Sequence, residues 1–150
     1  MIFEYTVFPD DTVPKGYVEI PLLDVRLFYR GQQDDVSCLV DSGADGCMFH
    51  SSVAENLGID LESGEPVTHY ALGMTPLQCY MHTIELQIFD FDERIQIRAG
   101  FSRDSEMCVL GQDGFFENYE ITFRGYEKTF EINSRPKPSN VLPIKWPHPK

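Results

Sequence analysis

The chain has 150 residues, the length of one ordinary domain, and 42 % of them are hydrophobic, so a packed core is expected and a wholly disordered chain is excluded. Its 24 acidic side chains outnumber its 12 basic ones and give a net charge of -12. Because an acidic surface repels phosphate groups, we expect no nucleic acid and no membrane among its partners. No segment holds the ~20 apolar residues that a membrane-spanning helix needs.

The first five residues and the cysteines bear on the cellular compartment. Residues 1–5 lack the basic stretch and apolar run of a secretory signal, which predicts a cytoplasmic location. The four cysteines are too few and too scattered to form a disulfide framework, and we expect them to be reduced thiols in the core. They are Cys38, Cys47, Cys79 and Cys108.

Alternation of apolar and polar residues is the dominant pattern along the chain and predicts a mainly β fold. In chain order, the pattern predicts strands over residues 17–29, 36–40, 66–71, 84–88, 95–97, 119–123 and 128–132. Pro21 marks an edge or a bulge in the first of them. Residues 84–88 and 95–97 form a long hairpin around the acidic turn 90–93, and the last two strands pair around Gly125.

Helical signals are short. Residues 52–55 fit a capping box that begins at Ser52, and Gly58 stands where the helix is expected to stop. A second short helix is predicted after Gly111, with Asp113 near its start.

The composition changes near the end of the chain. Residues 133–150 contain no acidic residue, four basic residues and five of the ten prolines. Proline forbids helix and favours an extended path. We therefore predict one domain over residues 1–132 and a Pro-rich basic tail over residues 133–150.

A repeat lies within the domain. Residues 35–43 and 105–113 each run from an apolar strand through a Cys-apolar-apolar sequence into a turn that contains glycine. The first copy continues as residues 39–45, Leu-Val-Asp-Ser-Gly-Ala-Asp, and the second contains Val-Leu-Gly at residues 109–111.

These two motifs resemble the signatures of the retropepsin-like aspartic proteases, a group that includes retroviral proteases and small bacterial relatives. The resemblance covers residues 17–132. It implies the retropepsin-like fold, a closed, barrel-like β domain with one or two short helices, and the activity of an aspartic endopeptidase that uses no cofactor.

The resemblance also assigns roles to the residues of the first motif. Hydrolysis by carboxylates needs one carboxyl group to take a proton from water and another to give one to the carbonyl oxygen. The catalytic carboxyl is that of Asp41. Ser42 supports it with a hydrogen bond to the partner loop, and Gly43 lets the chain turn sharply. Ala44 and Asp45 are expected to bind the substrate main chain.

Only one such aspartate is present, because Leu110 and Gly111 stand at the equivalent position of the repeat. The chain is also too short for a two-lobed aspartic protease. We therefore predict a symmetric homodimer in which Asp41 of each subunit meets at the two-fold axis, acting on a peptide or protein substrate.

A flap is expected between the two motifs, as a hairpin over residues 68–81 that closes on the substrate. Its tip, with Leu72, Gly73 and Met74, completes the predicted substrate-binding residues.

Two alternatives stay open. Gln112 stands where many relatives have an arginine that pairs with the carboxylate corresponding to Asp45. This departure favours a catalytically inactive dimerisation or peptide-binding module of the same fold.

Zinc is the other alternative, since Cys47-x-x-His50 and Cys79-x-x-His82 have the spacing of zinc ligands. However, Cys79 and His82 lie on a predicted strand, where residues three apart point to opposite faces. We expect no metal.

Overall fold

A computed structural model describes residues 1–70 and 74–135. These residues form twelve strands and two short helices. The strands are β1 (Ile2–Glu4), β2 (Thr6–Pro9), β3 (Tyr17–Ile20), β4 (Leu22–Tyr29), β5 (Gln32–Val40), β6 (Met48–His50), β7 (Glu65–Tyr70), β8 (Pro76–Ile88), β9 (Ile95–Ser102), β10 (Val109–Leu110), β11 (Tyr119–Arg124) and β12 (Thr129–Ser134). The helices are α1 (Ser51–Asn56) and a 3-10 helix over Leu61–Ser63. The predicted mainly β fold class is confirmed.

The main sheet closes on itself. Its strands lie in the order β4-β5-β10-β6-β9-β8-β7, and β4 also pairs with β8. Six strands therefore form a ring. The seventh strand, β7, pairs with the N-terminal half of β8. Closure leaves few unpaired sheet edges around the core.

The predicted strands 36–40, 66–71, 84–88 and 95–97 overlap β5, β7, β8 and β9, whereas the sequence pattern does not predict β1, β2 and β6. β8 and β9 pair antiparallel as the predicted long hairpin, with Ile84 opposite Ile97. The strand predicted over residues 17–29 is interrupted at Pro21, where β3 ends and β4 begins. This break has a plain cause, since proline has no backbone N–H for the ladder.

A smaller sheet joins the two ends of the described chain. Its order is β1-β12-β11, and the amino group of Met1 donates to the carbonyl of Ile132 at 2.8 Å. β12 continues to Ser134, two residues past the predicted domain end, and residues 136–150 of the predicted tail lie outside the described residues.

No helix among residues 1–70 and 74–135 is long and apolar enough to cross a membrane.

The helical predictions need correction. α1 begins two residues early because His50, not Ser52, is its N-cap: the His50 ring nitrogen accepts from the Ser52 N–H at 3.1 Å. The helix ends as predicted before Gly58, which has φ +68. In the described residues after Gly111, 112–135, there is no helix. Residues 114–118 are turns, and the Phe116 N–H reaches five residues back to the Gly111 carbonyl, a wider spacing than an α-helix allows.

The core lies inside the closed sheet and beneath the smaller one. Its largest fully buried side chains include Phe49, Phe101, Phe115 and Phe130. Val40 and Leu110, the last residues of β5 and β10, are also buried in it. The two loops that carry the sequence motifs therefore start from fixed points in the core.

Tyr119 is buried in this core, and its hydroxyl has no hydrogen-bond partner among the described residues. Burial raises the pKa of Tyr119. Since a buried polar group without a partner costs free energy, we expect Tyr119→Phe to raise the free energy of unfolding by about 1 kcal/mol. Urea unfolding measures it, with Tyr126→Phe as the matched control because Tyr126 is 87 % exposed. A loss of stability in Tyr119→Phe would show that the hydroxyl is hydrogen-bonded in solution.

Candidate active site

The two sequence motifs lie side by side. β5 and β10 pair in parallel, with Leu39 opposite Val109 and Val40 opposite Leu110. This register is the same one that aligns the two copies of the repeat. Asp41 and Gly111 consequently leave the sheet together, and the Asp41 N–H donates to the Leu110 carbonyl at 3.0 Å.

The carboxylate of Asp41 is held by its own turn. The Gly43 N–H donates to Asp41 Oδ1 at 2.9 Å, and the Ala44 N–H donates to the Asp41 carbonyl at 3.2 Å. A Cβ at Gly43 would lie 3.2 Å from Oδ1, closer than most side chains tolerate. Asp41 as a whole is half-buried in the single chain.

The loop after β10 packs against the loop that carries Asp41. Its Gly111 has no room for a side chain, because a Cβ there would lie 2.3 Å from the Gly46 carbonyl oxygen and 2.7 Å from that of Ala44. The Gln112 N–H donates to the Ala44 carbonyl at 2.9 Å, and the Asp113 N–H donates to the Asp45 carbonyl at 2.8 Å. The backbone of the second copy is thus packed against the backbone of the first.

Gln112 takes a role that the sequence does not predict. Its Nε2 donates to the Ser42 carbonyl at 2.8 Å. An amide at this position therefore fixes the loop that carries Asp41, and it does so without a charge. Among the described residues, the exposed carboxylate of Asp45 has no ion-pair or hydrogen-bond partner from another side chain.

Cys47 adds a contact between the loops that its sequence position does not reveal. It is buried, and its thiol lies 3.6 Å from the Asp113 carbonyl, to which it donates. Burial raises the pKa of the Cys47 thiol to about 11. No local pattern could have identified this contact, since it joins residues 66 positions apart.

The predicted flap region is a hairpin. β7 and β8 pair antiparallel from Glu65 opposite Met81 to Tyr70 opposite Pro76. Met74, the first described residue after Tyr70, is 75 % exposed and has φ 63. Leu72 and Gly73, also predicted to bind substrate, lie outside the described residues.

The four candidate zinc ligands have other partners. The Cys79 thiol donates to the Leu77 carbonyl, His82 Nε2 contacts the Leu61 carbonyl, and His50 caps α1. Within residues 1–70 and 74–135, no three Cys, His, Asp or Glu side chains are grouped as metal ligands. All four cysteines are free thiols.

Comparison with solved structures identifies the architecture. A retropepsin-like aspartic protease from Rickettsia conorii superimposes with a TM-score of 0.52 at 14 % identity, over 85 % of this chain and 98 % of that one. The chain has the retropepsin-like fold. The EIAV protease complexed with the inhibitor HBY-793 gives a TM-score of 0.48 at 15 % identity, over 61 % of this chain and 81 % of that one. No family model and no curated protein matches the sequence.

The packing of Gly111 predicts a large effect of one methyl group. Gly111→Ala must push the carbonyl groups of Ala44 and Gly46 away. Overpacking of this kind lowers the free energy of unfolding by about 1–3 kcal/mol or more. Gly125→Ala is the matched control, because nothing lies within 4 Å of a Cβ there. Urea unfolding of the two variants should show a clear loss for Gly111→Ala and a change within about 0.5 kcal/mol for Gly125→Ala. Equal effects would contradict the close packing of the loops.

The Cys47 thiol predicts a loss of stability at high pH. Its pKa is about 11 in the folded chain against an ordinary 9.0, so between these values the folded state keeps a proton that the unfolded state releases. Stability therefore falls as pH rises through this window, by about 2–3 kcal/mol at ~1.4 kcal/mol per pH unit. The difference in unfolding free energy between the native chain and Cys47→Ser should change by this amount between pH 9 and 11. A pH-independent difference would rule out this role of Cys47.

Proposed function

We propose that the chain is an aspartic endopeptidase whose catalytic dyad is formed by Asp41 from each subunit of a homodimer. The observation that carries the proposal is the contrast between the two matched loops. One presents a half-buried carboxylate at Asp41, and the other has Gly111 where no side chain fits. Because the chemistry needs two carboxyl groups, a second copy supplies the other one.

The proposed reaction follows from the pair of carboxyl groups. Two carboxylates brought together share one proton, because both cannot ionise at low cost; aspartic proteases are the standard example. The unprotonated carboxylate takes a proton from water, whose oxygen attacks the peptide carbonyl carbon. The protonated partner gives its proton to the carbonyl oxygen. As the tetrahedral intermediate breaks its C–N bond, the nitrogen takes a proton from the dyad and one hydroxyl of the intermediate returns a proton to the other carboxylate, so the dyad regains its single proton and no bond to the protein forms.

Rigid support of Asp41 favours catalysis over mere binding. The Gly43 N–H donates to the Asp41 carboxylate and orients it, and the Gln112 side chain donates to the Ser42 carbonyl and holds it in place. Such preorganisation keeps the proton donor and acceptor aligned with the reacting atoms. The Ser42 hydroxyl is exposed in the single chain, consistent with its predicted bond to the partner loop.

Substrate binding is proposed to use the hairpin and the first loop. The β7–β8 hairpin acts as a flap that closes over a peptide with Leu72, Gly73 and Met74, and excludes water. Ala44 lies beneath the peptide, and the exposed carboxylate of Asp45 accepts hydrogen bonds from the N–H groups of the peptide.

The cytoplasmic location and the boundary of the C-terminal tail stay predictions.

We expect Asp41→Asn to lose peptide cleavage by at least ~10²–10⁴-fold, the usual contribution of general acid–base groups. The measurement is mass spectrometry of a mixed peptide library incubated with the full chain at acidic to neutral pH. Asp92→Asn, a loss of one exposed charge in the turn between β8 and β9, is the matched control and should cleave normally. Peptide binding without cleavage by the native chain would instead establish the inactive binding module.

Mixed dimers test whether two subunits share one site. When the native chain and Asp41→Asn are unfolded together and refolded, activity should follow the square of the native fraction, about one quarter for an equal mixture. A linear dependence would show that each chain holds a complete site and would overturn the shared dyad.

A further inference from the structure

Two thiols lie next to each other at the base of the matched loops. Cys38 on β5 and Cys108, just before β10, each precede the loop position, Asp41 or Gly111, by three residues. The Leu39 N–H donates to the Cys108 carbonyl at 2.8 Å, so the pairing of the two strands begins at the cysteines. The same parallel register, with Leu39 opposite Val109, places Cys38 beside Cys108 on the neighbouring strand.

The two thiols have different surroundings. Cys38 is fully buried, whereas Cys108 is half-buried and packs against the edge of the core. Solvent therefore reaches Cys108 and not Cys38, and an accessible cysteine is the one that reacts first.

The charge balance at the pair agrees with this assignment. The hydrogen bond from Cys38 lowers the pKa of Cys108 to about 7, although burial and Asp34 on β5 act in the opposite direction. The same hydrogen bond, together with burial, Cys47 and Asp24, raises the pKa of Cys38. One sulfur is therefore prepared as a nucleophile, and its neighbour keeps its proton.

We propose that Cys38 and Cys108 form a peroxide-reactive dithiol, in which Cys108 is oxidised by a hydroperoxide and Cys38 then closes a disulfide. In the first step the Cys108 thiolate attacks one peroxide oxygen, the O–O bond breaks, and sulfenic acid and hydroxide form. In the second step the Cys38 sulfur displaces the hydroxyl group, the S–S bond forms and water leaves. The two thiols lose two electrons in total, and the peroxide takes them up.

Strand geometry permits the cross-link. Neighbouring strands lie about 4.8 Å apart, within the range of ~4.4–6.8 Å between Cα atoms that disulfides use. Residues side by side on paired strands also point to the same face of the sheet. The bond would join the two strands that carry the Asp41 and Gly111 loops, and its formation does not depend on the proposed protease activity.

The other cysteines are built-in controls. Cys47 and Cys79 are buried, and burial raises the pKa of both thiols. Neither is bonded to another thiol. At neutral pH we therefore expect Cys108 to react with N-ethylmaleimide much faster than Cys47 or Cys79, with a rate that rises through a pH of about 7.

The test exposes the full chain to hydrogen peroxide at neutral pH and follows it by intact mass and peptide mapping. The expected product has lost the mass of two hydrogen atoms and yields a linked peptide pair containing Cys38 and Cys108. Cys108→Ser should abolish this product. Cys38→Ser should stop at a sulfenic acid on Cys108 that dimedone traps, and Cys79→Ser should behave like the native chain.

Two results would overturn the proposal. One is oxidation of Cys108 in the native chain to sulfinic acid with no linked peptide. The other is equal peroxide reactivity of Cys47, Cys79 and Cys108. Because peptide mapping of the native chain decides both, the proposal stays testable even if a cysteine variant fails to fold.

Discussion

Leu39 and Val40 on β5 lie in register with Val109 and Leu110 on β10, and this short parallel pairing sets where both loops leave the sheet. Val40 and Leu110 are buried, so the pairing is anchored in the core. A shift of one residue would turn these side chains to the opposite face and expose them. The position of Asp41 is therefore fixed by hydrophobic burial and not by contacts of its own side chain.

Beyond the strands, support comes from the backbone. The carbonyl groups of Ala44 and Gly46 pack on Gly111, and the N–H groups of the second loop donate to the first. These contacts freeze no side-chain rotamers, so their entropic cost is that of ordering the loop backbone itself. This also explains how Gln112 can replace a charged residue: its amide reaches the Ser42 carbonyl, while the loops are already held by neighbouring backbone bonds.

Much of this fold and site can be predicted from the sequence, because patterns among neighbouring residues determine the strands and the loop that carries Asp41. Period-two alternation locates the β8–β9 hairpin, and the order of residues 39–45 identifies the loop that carries Asp41. The errors come from contacts that a local pattern does not contain. His50 caps α1 because the chain enters the helix directly from β6, and the turns after Gly111 follow from packing against residues far away in sequence.

The repeat explains why the chain is symmetric in its strands and asymmetric in its chemistry. Both copies supply an apolar pair, Leu39–Val40 or Val109–Leu110, and a loop that leaves the same edge of the sheet. Gly111 packs against the carbonyl groups of Ala44 and Gly46, however, so position 111 has no room for a side chain. An aspartate there would require a new cavity as well as a second buried charge. In the proposed homodimer the matching carboxylate would come from another copy, which would avoid both costs and pair the like groups across a two-fold axis.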